Sequence, residues 1–290
     1  MLEAPVAAAF GSGAGTALTG PVQRIDQLAI IAGNGIYPQL LARAARAAGV
    51  KRIAAIAFTD ETDSHLTGFV DEICWLRVGQ LGGMLATLRD WKITHAIMAG
   101  QIAPRNLFDL RPDWRALLLL AKLPQRNAES IFGAIGTELE RIGVTLMAAT
   151  TFLEESLASE GLIAGPALSR RQKQDVEFGW NVARQVASLD VGQTVVVKNG
   201  TVLAVEAFEG TNEAIRRGGT LAGGKAIVVK VAKPNQDMRF DVPIIGLQTI
   251  RAAEEAKISV IAIEARRTLL LEKEEVMRAA ERANLSVIGR

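Results

Sequence analysis

LAIIAGNGIYP, residues 28–38, is a short apolar run followed by a glycine-rich turn and a proline. Leu28–Ala32 has the length of a buried strand, and Pro38 suits the first turn of a helix, which an Ala-rich stretch continues to about Ala48. A strand, a tight turn and a helix are the first half of a βαβ unit. The turn Gly33-Asn34-Gly35 is either a simple connection or a loop whose backbone amides approach a phosphate.

The same alternation continues through the first half of the chain. Further strands are predicted at Ile53–Phe58, Ile73–Arg77, Ala96–Ala99 and Thr145–Ala148, and helices at Gly82–Trp91, Trp114–Lys122 and Glu129–Ile142. This alternation is typical of a parallel sheet buried on both faces, and ligands of such sheets lie beyond the carboxyl ends of the strands. These ends are predicted at Gly33-Asn34-Gly35, Thr59–Thr62 and Gly100-Gln101.

Length and composition exclude several classes of protein. The 290 residues favour two domains, and 49 % hydrophobic with 22 % charged residues is ordinary for a globular protein. A net charge of +2 is no signature of nucleic-acid binding, and a lone Cys74 excludes a disulfide framework. No apolar run reaches the length of a membrane span. Residues 1–24, rich in small residues and without a basic start, are predicted to be a flexible extension rather than a signal peptide.

The second half has a different pattern, and the stretch Glu160–Arg171 is the expected boundary. Thr194–Lys198, Asn199-Gly200 and Thr201–Ala207 together predict a β-hairpin with a two-residue turn. That turn pairs Lys198 with Thr201 and Val197 with Val202, and it is expected to put Glu206 on the face of Val195, Val197, Val202 and Ala204. Mixed hairpins and helices indicate a second α/β domain, over residues 161–290.

The second half of the chain has no histidine and no cysteine, because His65, His95 and Cys74 all lie in the first half. A reaction catalysed by the second half would therefore use neither imidazole nor thiol groups. A dense polar stretch, KVAKPNQDMRFDVP, covers residues 230–243. If Gln236–Val242 is extended, Asp237, Arg239 and Asp241 share one face, and the two carboxylates are roughly 13 Å apart, too far to share one Mg²⁺. Either the segment bends, or the carboxylates have different roles, or the stretch is a solvated, charge-balanced loop.

Two neighbouring features leave alternatives open. Glu206 on an apolar face needs a partner, which would be a metal, a cation or water at an edge. Gly210-Thr211-Asn212-Glu213 is typical of a helix start, with Thr211 or Asn212 as the capping side chain, and such a start also offers free backbone amides to a phosphate.

Eight segments, in the same order along residues 25–290, resemble the LpxI-type UDP-2,3-diacylglucosamine pyrophosphatases of Gram-negative lipid A synthesis. The segments are LAIIAGNG (28–35), VGQLG (78–82), IMAGQI (97–102), FDLRPD (108–113), LDVGQ (189–193), EAFEGTNE (206–213), KVAKPNQDMRFDVPIIG (230–246) and IEARRTLLL (263–271). The KPxQDxRFDxPxxG pattern in the seventh segment is the most specific of them.

The resemblance implies an N-terminal Rossmann-like domain over residues 25–160 and a catalytic C-terminal domain over residues 161–290, with the substrate between them. It implies Mg²⁺-dependent hydrolysis of UDP-2,3-diacylglucosamine, a lipid-linked UDP-sugar, to UMP and 2,3-diacylglucosamine 1-phosphate by water that attacks the sugar-side phosphorus. It also implies a homodimer at the cytoplasmic side of the inner membrane, as a peripheral protein. The net charge of +2, and not the resemblance, indicates no nucleic acid as partner.

Site residues are assigned by combining this resemblance with the chemistry of the side chains. The catalytic candidates are Asp241, Asp237 and Arg239, and the essential aspartate is Asp241 or Asp237, of which Asp241 is preferred. Carboxylates suit a hard cation, and basic side chains suit a transferring phosphoryl group. The expected Mg²⁺ ligands are Asp237, Asp241 and Glu206. The expected substrate-binding residues are Gly33, Asn34, Gly35, Gly100, Gln101, Lys198, Thr211, Asn212, Lys230, Lys233 and Gln236.

One residue departs from the family pattern, since many members have GTD where this chain has Gly210-Thr211-Asn212. An amide in place of a carboxylate lends weight to an alternative, a non-catalytic protein that binds the nucleotide or the sugar-lipid. The other alternative is a Rossmann-type oxidoreductase, with Asp60 or Glu61 after the second strand. Pro38, which stands where the dinucleotide fingerprint has its third glycine, counts against it.

Overall fold

The computed structural model of the chain describes residues 25–102, 112–125 and 127–290. The extension expected over residues 1–24 lies outside these ranges, as does most of the FDLRPD segment, residues 108–113.

The first sheet is parallel and has the strand order β3-β2-β1-β4-β5. Its strands are β1 (Gln27–Ala32), β2 (Arg52–Phe58), β3 (Glu72–Leu76), β4 (His95–Ala99) and β5 (Thr145–Leu146). Its helices are α1 (Tyr37–Ala47), α2 (Leu81–Asp90), α3 (Trp114–Lys122) and α4 (Ala128–Arg141). The order reverses between β1 and β4, as it does between the two halves of a Rossmann fold. The predicted fold class is confirmed.

Strand β1 is continuously apolar because the sheet is covered on both faces. Leu28 and Ile30 pack into one apolar cluster, and Ala29 and Ile31 pack into another on the opposite face. All four side chains are buried. A strand with two dry faces carries apolar residues at every position rather than at alternate ones.

The second sheet is mixed, with the order β6-β13-β11-β9-β7-β8. Its strands are β6 (Gly161–Ala164), β7 (Thr194–Lys198), β8 (Thr201–Val205), β9 (Ile227–Lys230), β11 (Val260–Ile263) and β13 (Ser286–Gly289). Strands β9, β11 and β13 are parallel, and β6 and the β7–β8 hairpin run antiparallel to their neighbours. The helices of this half are α5 (Arg170–Ser188), α6 (Thr211–Ala222), α7 (Leu247–Glu255) and α8 (Lys273–Arg282).

The hairpin confirms the predicted pairs Lys198–Thr201 and Val197–Val202, but its register shifts between Val196 and Val197. Val196 therefore pairs with Ala204, and both pack on the sheet face opposite Val197. The expectation that Glu206 and Ala204 share a face with Val195, Val197 and Val202 is wrong; Val205 takes that place. A β-bulge adds one residue to a strand, so it exchanges the faces of every residue beyond it.

A third, two-residue ladder joins the halves. Strands β10 (Ile244–Ile245) and β12 (Leu269–Leu270) pair in parallel, and Leu269 is buried in the apolar cluster of the first sheet. The loop before β10 also crosses over, because the Ala149 amide donates to the Met238 carbonyl at 2.8 Å. The polar stretch singled out in the sequence is thus held between the two sheets. The boundary between residues 160 and 161 stays a prediction.

Candidate active site

A cleft of about 1200 Å³ lies between the two halves of the molecule. In the first half of the molecule, the residues that follow β1 and β4 form the floor of the cleft. There Asn34 and Gln101 form an isolated antiparallel bridge. This is where the strand order reverses, the usual place for a ligand in an open α/β sheet. The structure therefore brings the predicted residues Gly33, Asn34, Gly35, Gly100 and Gln101 together in the cleft.

Two glycines allow this floor to form. A Cβ atom at Gly33 would lie 2.7 Å from the carbonyl oxygen of Gln101, and one at Gly100 would lie 2.7 Å from the carbonyl oxygen of Asn34. Gly100 also has a φ of +96°, a conformation that residues with a side chain rarely adopt. Gly33 and Gly100 thus allow the backbones at the ends of β1 and β4 to approach each other closely, and they do not act as part of a nucleotide-binding fingerprint.

Helix N-termini converge on the cleft. The residues that precede α1, α2, α6, α7 and α8 all line it, and none of them caps its helix with its own side chain, although Asp113 Oδ2 accepts from the Gly82 amide in the first turn of α2. These preceding residues are Ile36, Gln80, Gly210, Gly246 and Glu272. By contrast, Asp113, Asn127 and Ser169 cap α3, α4 and α5 with their side chains. Free amides and the positive ends of helix dipoles favour an anion in the cleft.

Lys230, Thr211 and Glu206 form a hydrogen-bonded chain in the cleft wall. Lys230 Nζ donates to Thr211 Oγ1 at 2.6 Å, and Thr211 Oγ1 donates to Glu206 Oε1 at 2.7 Å. Lys230 and Glu206 are buried, and the other oxygen of Glu206, Oε2, has no hydrogen-bond partner. Burial lowers the pKa of the Lys230 ammonium, while the Glu206 and Asp241 carboxylates oppose that shift. Of the three partners proposed for Glu206, the structure supplies a neighbouring cation, Lys230, and the direct hydrogen-bond partner is the Thr211 hydroxyl, which was not among the three.

The start of α6 corrects the predicted cap. Gly210, with a φ of +84°, occupies the capping position, and neither Thr211 nor Asn212 caps the helix. Thr211 begins the helix and directs its hydroxyl to Glu206 instead. Thr211 and Asn212 both line the cleft, which is expected if the start of α6 offers its backbone amides to a phosphate.

The segment Gln236–Val242 bends rather than extends. The amides of Phe240 and Asp241 both donate to the carbonyl of Asp237, which makes a tight turn. The extended alternative is wrong, because the turn satisfies backbone groups that a strand would leave unpaired at this place. Phe240 instead packs against Phe132 of α4, with ring centroids 5.8 Å apart.

The two aspartates have different environments. Asp237 accepts from Arg239 Nε at 3.0 Å and from its Nη2 at 2.8 Å, and the bond from Arg239 lowers the pKa of Asp237. Arg239 also reaches Glu140 of α4, at 3.2 Å, and these bonds raise its own pKa. Asp241 lines the cleft. The geometry therefore makes Asp237 and Arg239 a bridge between the halves and leaves Asp241 facing the ligand space.

Lys233 and Gln236 support the loop from behind the cleft. Lys233 Nζ is 2.5 Å from Asp190 Oδ1 and 4.0 Å from Asp241 Oδ2. Burial opposes its charge, but the hydrogen bond to Asp190 and the nearby carboxylates raise its pKa above the usual value. Gln236 is buried, and its Oε1 accepts from the Lys233 amide at 2.8 Å.

Lys198, expected to bind substrate, lies elsewhere. Its Nζ donates to the carbonyls of Ala222 and Gly224 at 2.6 and 2.8 Å, where it neutralises the C-terminal end of α6. We therefore leave Lys198 out of the candidate site.

The carboxylates expected to hold Mg²⁺ do not all meet. Within residues 25–102, 112–125 and 127–290, no three His, Cys, Asp or Glu side chains are placed to hold a metal ion together. Asp237 is occupied by Arg239, whereas Asp241 and Glu206 both line the cleft and Glu206 Oε2 is a buried acceptor without a donor. One or two carboxylates suffice for Mg²⁺ that is also bound by substrate phosphates. The residues that fit the ion are thus Asp241 and Glu206.

An apolar half of the cleft was missed by the sequence analysis. It is formed by side chains from α2, α3 and α4, namely Met84, Ala116, Leu119, Leu120, Ile131, Phe132 and Ile135. These residues are spread over three helices, so their common surface exists only after folding. The uncapped starts of α7 and α8 were missed as well, although Gly246 directly before a helix was a usable signal.

Fold and site together define a two-domain α/β protein whose cleft suits a ligand with an anionic part and an apolar part. The family models of the LpxI N-terminal domain and the LpxI C-terminal domain match residues 27–156 and 159–288. The chain is 30 % identical over 274 residues to the UDP-2,3-diacylglucosamine pyrophosphatase LpxI of Caulobacter vibrioides, covering 91 % of this chain and 97 % of that protein. The chain belongs to the LpxI family.

Solved structures give much weaker matches. The biotin carboxylase domain of the 2-oxoglutarate carboxylase of Hydrogenobacter thermophilus is 12 % identical, with a TM-score of 0.28 over 69 % of this chain and 42 % of that one. The biotin carboxylase subunit of a pyruvate carboxylase is 13 % identical, with a TM-score of 0.26 over 64 % and 39 %. The chain thus spans about two fifths of each of these proteins, and scores this low support no conclusion about it.

Proposed function

We propose that the chain hydrolyses the pyrophosphate bond of UDP-2,3-diacylglucosamine, which releases UMP and 2,3-diacylglucosamine 1-phosphate. The observation that carries the proposal is the composition of the cleft: uncapped helix starts and Lys230 in one part, and an apolar lining from α2, α3 and α4 in the other. A pyrophosphate requires the first part, and two acyl chains require the second. The name of the Caulobacter relative, UDP-2,3-diacylglucosamine pyrophosphatase, agrees with this proposal.

Lys230 would bind the pyrophosphate. An ammonium has three donors, and Thr211 takes one of them, so two remain for phosphate oxygens. An anionic ligand restores part of the solvation that burial removes from Lys230, and it stabilises the charged form. Thr211 holds the ammonium in place, and the amides at the start of α6 add further donors.

Asp241 would position the attacking water. It lines the cleft, and the turn that starts at the Asp237 carbonyl fixes its backbone. A carboxylate at this point accepts a proton from water as the water attacks the phosphorus, for which we propose the sugar-side atom. The Arg239 bridge to Glu140 and the packing of Phe240 on Phe132 tie this loop to the first half of the molecule.

Mg²⁺ is the proposed cofactor. When bound, it polarises phosphoryl oxygens and lowers the pKa of a coordinated water. Asp241 and Glu206 would hold it together with the substrate, and Asn212 would add a carbonyl oxygen without charge. This donor set has one carboxylate fewer than the three that the sequence suggested.

The working state of the protein is a further part of the proposal. We propose a homodimer that works as a peripheral protein at the cytoplasmic side of the inner membrane, where a diacylated substrate is found. None of the helices in the described ranges is long and apolar enough to cross a membrane. The net charge of +2 gives no reason to expect nucleic acid as a partner.

The test is turnover of UDP-2,3-diacylglucosamine by the purified chain in ¹⁸O-labelled water, with Mg²⁺ or with EDTA. Release of UMP with Mg²⁺ alone, with the label in the sugar phosphate, is the expected result. Label in UMP would overturn the proposed site of attack, and equal turnover in EDTA would overturn the metal. Binding of UMP without turnover under any divalent metal would make the chain a binding protein and overturn the enzymatic proposal.

A further inference from the structure

Helix α3 has two apolar faces. Ala116, Leu119 and Leu120 on its inner face line the cleft. On its outer face, Trp114 is 73 % exposed, Leu117 is 47 % exposed and Leu118 is 45 % exposed. Three large apolar side chains on one short exposed surface are costly in water and mark an interaction site.

The charged residues of α3 itself are basic. They are Arg115 and Lys122, and both are exposed. In the described part of the chain, Asp113 directly precedes the helix and is occupied in capping, because Oδ1 accepts from the Ala116 amide and Oδ2 from the Gly82 amide. Tryptophan, leucines and flanking basic residues on one helix are typical of a surface that lies in the headgroup region of a bilayer.

We propose that the outer face of α3, with Trp114, Leu117 and Leu118, docks on the surface of a lipid bilayer that contains anionic lipids. The inference rests on the proposed function in one respect: a diacylated substrate would leave the bilayer beside the helix whose inner face lines the apolar half of the cleft. The basic residues favour this occupant over a second copy of the chain, because the same residues on both copies would repel each other.

The experiment measures sedimentation of the full chain with vesicles of phosphatidylethanolamine, with and without phosphatidylglycerol. The test variant is the double substitution Trp114→Ser and Leu117→Ser. The matched control is Leu221→Ser. Leu221 is also exposed, at 64 %, but it belongs to α6 and not to α3. The double variant is expected to weaken binding to the anionic vesicles about tenfold or more, whereas the control binds like the original chain.

The outcomes separate this inference from the proposed function. Vesicle binding needs no turnover, so an inactive protein that still binds through Trp114 and Leu117 would leave the docking surface standing. Unchanged vesicle binding by the double variant would overturn the docking surface even if the enzyme is active. If the double variant becomes a monomer in light scattering but still binds vesicles like the original chain, the outer face of α3 contacts a second copy of the chain. This result would also overturn the proposed docking surface.

Discussion

Lys230 Nζ donates to Thr211 Oγ1 at 2.6 Å, and this contact joins the last residue of β9 to the first residue of α6. Thr211 has only one hydroxyl proton, and that proton is directed to Glu206. The hydroxyl thus accepts from the cation and donates to the carboxylate, which keeps two buried charged groups apart but connected. Two of the predictions below follow from this arrangement.

Thr211→Val is expected to lower kcat/KM about 10- to 100-fold. Valine has nearly the shape of threonine, but it leaves Lys230 and Glu206 without their common hydrogen-bond partner, and such losses cost about 1–3 kcal/mol. Steady-state UMP release measures the effect, with melting temperature as a check on folding. Thr211→Ser keeps the hydroxyl and should stay within a few-fold of the original chain. Equal losses in both variants would contradict the role of the hydroxyl.

Binding of inorganic pyrophosphate is expected to weaken as pH rises through the pKa of Lys230. Burial lowers this pKa from that of an ordinary lysine, so the loss should begin at a pH where exposed lysines are still charged. Calorimetric titration over a pH series measures it. Lys230→Met should bind weakly at every pH, without this dependence.

Asp241→Asn is expected to reduce kcat by about 100-fold or more with little change in melting temperature. The reason is that Asp241 lines the cleft, where the proposed proton acceptor is needed. Steady-state kinetics and thermal unfolding measure the two quantities on the same preparation. Near-normal kcat with unchanged Mg²⁺ dependence would remove Asp241 from the mechanism.

Asp237→Asn is expected to act mainly on stability. Arg239 holds the pKa of Asp237 below its usual range, so the ion pair stabilises the fold at pH values above the unfolded-state pKa near 3.8 and loses its effect as pH falls through the lowered folded-state pKa. The variant should lose about 1 kcal/mol at neutral pH, because the pair is partly exposed. Urea unfolding at neutral and acidic pH measures this loss. A difference that persists in acid would point to lost packing instead.

Local patterns in the sequence were enough to predict the first sheet and the hairpin. Apolar runs at the positions of β1, β2 and β4 are continuous because the sheet is covered twice, and Asn199-Gly200 specifies the hairpin turn. The bulge was not predictable, because none of the residues Val202–Ala204 signals it. One extra residue then reversed the expected face of Glu206.

The candidate site was predicted only where its residues are close in sequence or belong to a distinctive motif. Asp241 and Lys230 belong to the most specific segment, so the resemblance points to them directly. The uncapped helix starts at Gly210 and Gly246 face the cleft only because the two sheets pack across it. Arg239 looked like a phosphate ligand by charge alone, and its ion pair with Asp237 depends on a turn that alternation does not predict.

Gly33→Ala is expected to destabilise the protein and to abolish binding of UMP. The added Cβ would lie 2.7 Å from the Gln101 carbonyl oxygen and 2.9 Å from the Gln101 nitrogen, both backbone atoms that cannot move without opening the floor of the cleft. The cost of such a clash is about 1–3 kcal/mol, and it would break the hydrogen bonds between Asn34 and Gln101 that hold the floor of the cleft together. Thermal unfolding and calorimetric titration with UMP measure both effects. The matched control is Gly133→Ala in α4, where an added Cβ meets no atom within 4 Å and the higher helix propensity of alanine should raise stability slightly. If Gly33→Ala and Gly133→Ala have the same melting temperature and the same affinity for UMP, Gly33 is not needed for the close approach of β1 and β4.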